Sequence, residues 1–262
     1  AADGAAADAG RAADERAGEA GGSAVRELHG WWRRSVTAFA VLISLAHLYF
    51  AFVGGVGELM RNALHFAGFV ILCAVYFPIL DRRGIKASRA WLWGDFAFGL
   101  AVALAALHLA LSESAIYDRG VRLAPQDWLA AVVVIVGAVE FTRRTTGLII
   151  PVLIVAAITY VAWWGQYVGG VFRFAGLSWE TVLFRSIYGD DALFGTIARI
   201  SSTYVFLFII FGAFLLRSGA GEFVIDLARA VAGRLVGGPG LVAVIASGLT
   251  GTISGSVVAN TA

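Results

Sequence analysis

Long apolar stretches separated by short charged segments are the main pattern of this chain. A helix needs about 20 apolar residues to cross the ~30 Å hydrocarbon core of a bilayer. Six stretches meet or approach that length, at residues 35–56, 63–80, 91–111, 125–141, 147–168 and 203–216. A seventh apolar stretch starts at Leu241. The pattern predicts an all-α polytopic membrane protein with about six transmembrane helices.

Basic residues are concentrated in alternate connections between these stretches. They are Arg26, Arg33 and Arg34 before the first stretch, Arg82, Arg83, Lys86 and Arg89 after the second, Arg143 and Arg144 after the fourth, and Arg217, Arg229 and Arg234 after the sixth. The other connections mix acids with arginines or carry balanced charge. Because arginine and lysine accumulate in cytoplasmic loops, this alternation predicts a cytoplasmic N-terminus.

Residues 222–236 have the pattern of a helix that lies on a surface. The polar positions are Glu222, Asp226, Arg229 and Gly233, and the apolar positions are Phe223, Leu227, Val231 and Leu235. The acids precede the arginines, which is the order that the helix dipole favours. We predict a surface-lying amphipathic helix, with an ordinary helical connector as the alternative.

Composition supports a membrane protein and excludes several other classes. Hydrophobic residues make up 59% of the chain and the mean hydropathy is +0.80, which is more than a water-soluble domain can bury. A net charge of +2 without a basic stripe argues against nucleic-acid binding. Cys73 is the single cysteine, so a disulfide framework within the chain is excluded.

The two ends of the chain differ in composition. Residues 1–29 are rich in Ala, Gly, Asp and Glu, which predicts a disordered tail that is not a signal peptide. The chain begins without Met and ends at Ala262, directly after an apolar and Gly/Ser-rich run, and we expect it to be a fragment.

That last run carries the candidate chemistry. It enters the membrane at Leu241 and becomes a cluster of Gly, Ser, Thr and Asn from residue 247 to 260. Glycine permits backbone outside the helix, and the small polar side chains satisfy the groups that unwinding releases. Freed carbonyls can bind a cation, and a half-helix N-terminus can face a carboxylate. Close helix packing through Gly251 and Gly255 is the more ordinary explanation of the same spacing.

An enzyme is the alternative function, for example an intramembrane serine hydrolase that uses Ser254 or Ser256. The segment 251–255 misses the G-x-S-x-G spacing, and the chain contains neither a phosphate-binding loop nor an H-E-x-x-H motif. Transport is therefore the better interpretation.

Other ionisable residues in the spans have ordinary interpretations. His47, His65 and His108 have no carboxylate at helical spacing, and we expect hydrogen-bonded histidines rather than a proton relay. Glu140 has Arg143 and Arg144 at helical spacing, which predicts an interfacial ion pair.

Four stretches together resemble a known family, the fused membrane subunits of TAXI-type tripartite ATP-independent periplasmic (TRAP) transporters. They are His65-Phe66-Ala67-Gly68-Phe69, residues 140–147 from Glu140 to Gly147, residues 206–215 together with 218–221, and residues 251–260 from Gly251 to Asn260. The resemblance covers residues from about 35 to 262. It implies a membrane component, in the bacterial inner membrane, that imports a small organic anion of the carboxylate type by cation symport. A separate periplasmic TAXI-type binding protein would deliver the substrate, and the coupling ion would be sodium or a proton.

The resemblance also implies domains and site residues. It gives a cytoplasmic tail at 1–29, a small-subunit-like four-helix domain at 30–145, a linking span at 146–190 and the start of the large transport subunit at 191–262. The last domain would end within the first re-entrant hairpin. Candidate ion and substrate ligands in that hairpin are Thr252, Ser254, Gly255, Ser256, Asn260 and Thr261. A possible sodium ion would bind Ser254, Gly255, Ser256 and Asn260, and no other cofactor is expected.

Overall fold

The computed structural model describes residues 25–79, 89–233 and 237–254, and within these ranges the regular structure is helical without strands. The α-helices are α1 (Gly30–Phe52), α2 (Glu58–Tyr76), α3 (Arg89–Leu111), α4 (Glu113–Asp118), α5 (Pro125–Thr146), α6 (Ile149–Ala162), α7 (Trp179–Ile187), α8 (Thr196–Ile200), α9 (Phe206–Arg217), α10 (Ala220–Ala232) and α11 (Gly238–Ser254). Short 3₁₀ helices cover Trp164–Tyr167 and Gly170–Phe172, and a π-helical turn, Ser201–Val205, joins α8 to α9.

Five helical segments in the described residues are long and apolar enough to cross a membrane. They are Gly30–Phe52, Glu58–Tyr76, Trp91–Leu111, Pro125–Thr146 and Thr196–Leu215. They coincide with five of the six predicted stretches, which confirms the all-α polytopic membrane protein. The last one begins earlier than residue 203, because the chain is already helical from Thr196.

The predicted span at 147–168 is shorter in the structure. Its helix α6 has 14 residues, about 21 Å at 1.5 Å per residue. The α-helix ends where Trp163 adopts φ −139° and ψ −67°, and the chain then turns back. The hydroxyl of Tyr160 donates to the carbonyl of Phe172, and the N–H of Phe174 donates to the carbonyl of Gly165 at 3.0 Å. These contacts replace the last turns of the predicted span.

The chain divides into two compact units. Among the described residues, the first comprises those within 25–43 and 54–199, and the second comprises those within 44–53 and 200–254. The first unit is built around α2, α3 and α5, with α3 packed against both of the other helices. Its largest core cluster includes Leu109, Ile116 and Val134.

Two glycines allow the helices of the first unit to approach closely. A Cβ atom at Gly99 of α3 would lie 2.5 Å from the Cβ of Ala74 on α2. A Cβ atom at Gly137 of α5 would lie 2.5 Å from a methyl group of Val102 on α3. Small residues at such crossings are how membrane helices pack. The tight bundle fixes the relative positions of the polar groups at its two ends.

The second unit contains the amphipathic helix, which is α10. This helix spans Ala220–Ala232 and packs against α11. The buried positions are Val224, Ala228 and Ala232, whereas Phe223 and Val231 are both 65% exposed. The amphipathic helix is confirmed, and a face other than the predicted apolar one packs against α11. Smaller side chains form the contact, and the large apolar ones form an exposed stripe.

Candidate functional site

The predicted ligands lie at the end of α11 or beyond it. Thr252 and Ser254 belong to the last turn of this helix, whose backbone is regular up to Ser254. Gly255, Ser256, Asn260 and Thr261 lie outside the described residues. The expected loosening of the backbone from Gly251 is wrong for residues 251–254, which are helical. Three helical residues, 252–254, thus separate Gly251 from the remaining candidate ligands.

Two glycines of α11, Gly240 and Gly248, do not serve close packing. A Cβ atom at Gly240 or Gly248 would have open space within 4 Å. Val244, on the same helix, is 70% exposed. The small-residue character of this part of α11 therefore has no packing explanation at these two positions.

One group of buried charges lies where α2 ends and α3 begins. It consists of Arg26, Asp95, Glu140, Arg143 and Arg144, and we call it the Asp95 network. The two carboxylate oxygens of Asp95 accept from different arginines, from Arg26 at 2.7 Å and from Arg144 at 2.9 Å. The side chains of Asp95 and Arg144 are only 2% and 1% exposed. The network therefore ties the segment before α1 to α3 and α5.

Glu140 completes this network from within α5. It accepts from Arg143 at 2.7 and 2.8 Å and from Arg144 at 2.9 Å, which confirms the predicted ion pair. Arginine also satisfies the carbonyls where α2 ends, because Arg144 donates to Phe77 and Arg26 donates to Val75, both at 3.1 Å. The two arginines thus cap the C-terminus of α2, where the last carbonyls have no acceptor role within the helix.

The Asp95 network carries three positive charges and two negative ones. The Nη2 atom of Arg144 and the Nε atom of Arg26 are buried without a hydrogen-bond acceptor. The guanidinium of Arg144 lies 5.0 Å from the ring centroid of Phe141 and 5.7 Å from that of Phe98. Aromatic faces attract a cation at such distances, so the two rings offset part of the cost of burial.

A second group of charges lies at the opposite end of the same bundle. It consists of His108, Arg119 and Asp127, and we call it the Asp127 network. Asp127 is fully buried at the start of α5 and contacts Nε2 of His108 at 3.0 Å and Nη2 of Arg119 at 2.5 Å. It also accepts from the N–H of Ala124 at 3.0 Å, where an acid suits the helix N-terminus.

The partner of His108 comes from another helix. Helical spacing does not indicate this pair, because Asp127 is 19 residues away from His108 in the sequence. The expectation of a hydrogen-bonded histidine is confirmed. The signal that could have found the pair is the position of both residues next to the same short connection, where α3 ends and α5 begins.

The segment after α7 is fastened to this end of the bundle. The hydroxyl of Tyr188 donates to the carbonyl of Leu109 at 2.7 Å. Burial, and to a lesser extent the charge of Asp127, raises the pKa of the Tyr188 phenol, which keeps it a neutral donor. The buried Asn62 donates to the carbonyls of Phe194 and Gly195, at 2.8 and 3.4 Å. The segment between α7 and α8 is therefore held against this end of the bundle and forms, with it, a fixed platform.

In the second unit, polar residues face the interior of the spans. His47 and Ser202 are both buried, and the ring of His47 lies 4.1 Å from that of Phe206. Ser202 belongs to the π-helical turn, a form that is rare and often found at functional sites. Across residues 25–79, 89–233 and 237–254, no group of three His, Cys, Asp or Glu side chains could hold a metal ion.

A family model matches the second part of the chain. Residues 133–262, about half of the chain, match the model described as tripartite ATP-independent periplasmic transporter, DctM component. No curated protein and no solved structure matches the chain. The matched range begins inside α5, ahead of the boundary near residue 190 that the resemblance implied, and the domain boundaries stay predictions.

The match and the apolar helices agree on the general class. They indicate a multi-pass membrane protein that is a membrane component of a TRAP transporter. The matched family consists of transporter permeases, so the protein is not an enzyme. Such a component implies a periplasmic substrate-binding partner.

Proposed function

We propose that this TRAP transporter membrane component imports a small organic anion of the carboxylate type by cation symport. The observation that carries the proposal is the match of residues 133–262 to the DctM component. The TAXI type and the fusion of a small and a large subunit rest on the sequence resemblance. The protein resides in the bacterial inner membrane with its N-terminus in the cytoplasm, as the arginine distribution favours.

The first unit is suited to act as a scaffold. Its three central helices pack closely at Gly99 and Gly137, and buried charges fasten both ends of the bundle. A transport subunit that moves like an elevator needs such a fixed element beside it. This supports the assignment of residues 30–145 as the small-subunit-like domain.

The transport site includes polar residues of the last turn of α11 and the residues that follow this helix. Thr252, Ser254, Gly255, Ser256, Asn260 and Thr261 offer hydroxyl, amide and backbone oxygens, which are suitable ligands for sodium. Since α11 contains no acidic residue, a proton would have to be carried by a group elsewhere. Sodium is therefore the coupling ion that these residues fit best.

The binding protein delivers substrate at the end of the bundle that bears the Asp127 network. The arginine-rich Asp95 network marks the cytoplasmic end. The opposite end presents the short helix α4 and the segment held by Asn62 and Tyr188. A fixed platform there is a surface against which a soluble protein can dock.

The test is uptake by the complete protein in proteoliposomes, with its binding protein present. We expect uptake of the binding protein's own ligand to require an inward sodium gradient. Ser254→Ala and Asn260→Ala should each reduce uptake at least tenfold while expression is retained. Ser247→Ala, about two turns before Ser254 on α11 and outside the proposed site, is the matched control and should leave uptake unchanged.

Each part of the proposal fails on a different result. Normal uptake by both site variants contradicts the site assignment. Uptake driven by a proton gradient alone contradicts sodium coupling. Uptake that does not depend on the binding protein contradicts the assigned partner.

A further inference from the structure

We propose that the outward face of α1 is a binding site for an anionic phospholipid, with the phosphate held by Arg33 and Arg34. The two arginines, together with Gly30, Thr37 and Ala38, line an open groove of about 680 Å³. These five positions recur at helical spacing and share one face of the helix.

The charge of this face has no counterpart within the described protein. Arg33 and Arg34 are exposed, and neither has an ion-pair or hydrogen-bond partner among residues 25–79, 89–233 and 237–254. Both lie next to the N-terminus of α1, where the helix dipole is positive and the first turn contains no acid. Two cations at the positive end of a helix create a strong local attraction for an anion.

The groove faces away from the bundle. The other side of α1 packs into the first unit, where Trp32 and Val36 contact the buried Leu92 and Val75. The arginine-bearing side is therefore left for an external partner.

The same face becomes apolar deeper in the span. Seven residues after Arg34, about 10 Å along the helix, Val41 is 51% exposed, and the next residue, Leu42, is 63% exposed. A phosphate at the arginines and an acyl chain along Val41 and Leu42 match this order of charged and apolar groups. A free phosphate would contact only the arginines and would leave Val41 and Leu42 uncovered.

Neighbouring tryptophans place the arginines at headgroup depth. The rings of Trp31 and Trp32 stack at 4.5 Å, and Trp93 lies 4.9 Å from Trp32. Trp31 and Trp93 remain 57% and 51% exposed. Tryptophans of this kind occupy the membrane–water interface, so Arg33 and Arg34 lie at the level of lipid phosphates.

The test is native mass spectrometry of the complete protein in detergent, titrated with phosphatidylglycerol. The double variant Arg33→Gln, Arg34→Gln should weaken binding about 30-fold. Each basic residue near an anionic lipid surface increases the affinity about fivefold, and two such residues are lost. Arg122→Gln with Arg173→Gln removes the same charge from exposed positions elsewhere and should leave binding unchanged. Phosphatidylcholine should bind weakly to all three proteins.

Glycerol phosphate, which has the same charged group without acyl chains, distinguishes a lipid from a free phosphate. We expect it to bind at least tenfold more weakly than the lipid. Equal binding of glycerol phosphate, or equal loss of lipid in the two double variants, overturns the proposal. The thermal unfolding midpoint of each variant, measured in parallel, establishes that the compared proteins are folded.

Discussion

The two ends of the helical bundle in the first unit are both closed by buried carboxylates, yet they are built differently. In the Asp95 network, one acid bridges two arginines from distant parts of the sequence, and the arginines outnumber the acids. In the Asp127 network, the partners of the acid come from its own neighbourhood and are more than a third exposed. The first arrangement holds three segments together, and the second secures one connection between two helices.

Removal of the charge of Asp95 should have the largest effect on stability. In Asp95→Asn, Arg26 loses its ion-pair partner and the buried Arg144 retains only Glu140. The loss of one partner from a buried ion pair costs about 3–5 kcal/mol. We expect a correspondingly lower free energy of unfolding in detergent. Asp226→Asn, which breaks an exposed pair with Arg229, is the matched control and should cost less than about 1 kcal/mol.

The corresponding change at the other end should be intermediate. Asp127→Asn retains an oxygen for the N–H of Ala124 but loses its charge toward His108 and Arg119. Because water reaches both partners, we expect a loss of about 1.5–3 kcal/mol in the same unfolding measurement. A loss as large as that of Asp95→Asn would contradict the distinction drawn between the two ends.

Single changes of the outer arginines should have the smallest effect. In Arg143→Gln, Glu140 keeps its contact with Arg144. The side chain of Arg143 is 35% exposed and that of Arg119 is 39% exposed. We expect each of Arg143→Gln and Arg119→Gln to lower the unfolding free energy by less than about 1 kcal/mol. A much larger loss for Arg143→Gln would mean that Glu140 depends on it rather than on Arg144.

Hydropathy was sufficient to predict the main elements of this fold, because apolar length directly reports on the thickness of the bilayer. The local pairing of Glu140 with Arg143 and Arg144 was also predictable, since these residues lie within one helix. The shortness of α6 was not, because contacts between Tyr160 and Phe172 end that helix.

Contacts between helices could not be predicted from the sequence for a related reason. Asp95 meets Arg26 and Arg144 only after three segments have packed, and His108 meets Asp127 across a connection. The contact of α10 with α11 was not predictable from its large apolar residues, because the small Ala228 and Ala232 are the ones that are buried. The proposed transport ligands stay predictions, of which Thr252 and Ser254 are placed on a regular helix.

The π-helical turn at Ser201–Val205 has a consequence for how this segment tolerates change in length. A π-helical turn accommodates one more residue than an α-helical turn, so the deletion of a single residue here would restore a continuous α-helix. Because the wider turn already absorbs the extra residue, the residues after the deletion would keep their faces on the helix, and Phe206 would still lie beside His47. A deletion of one residue in a regular α-helical span rotates the rest of the span by about 100°, whereas at this turn it would leave the protein-facing and lipid-facing side chains in place.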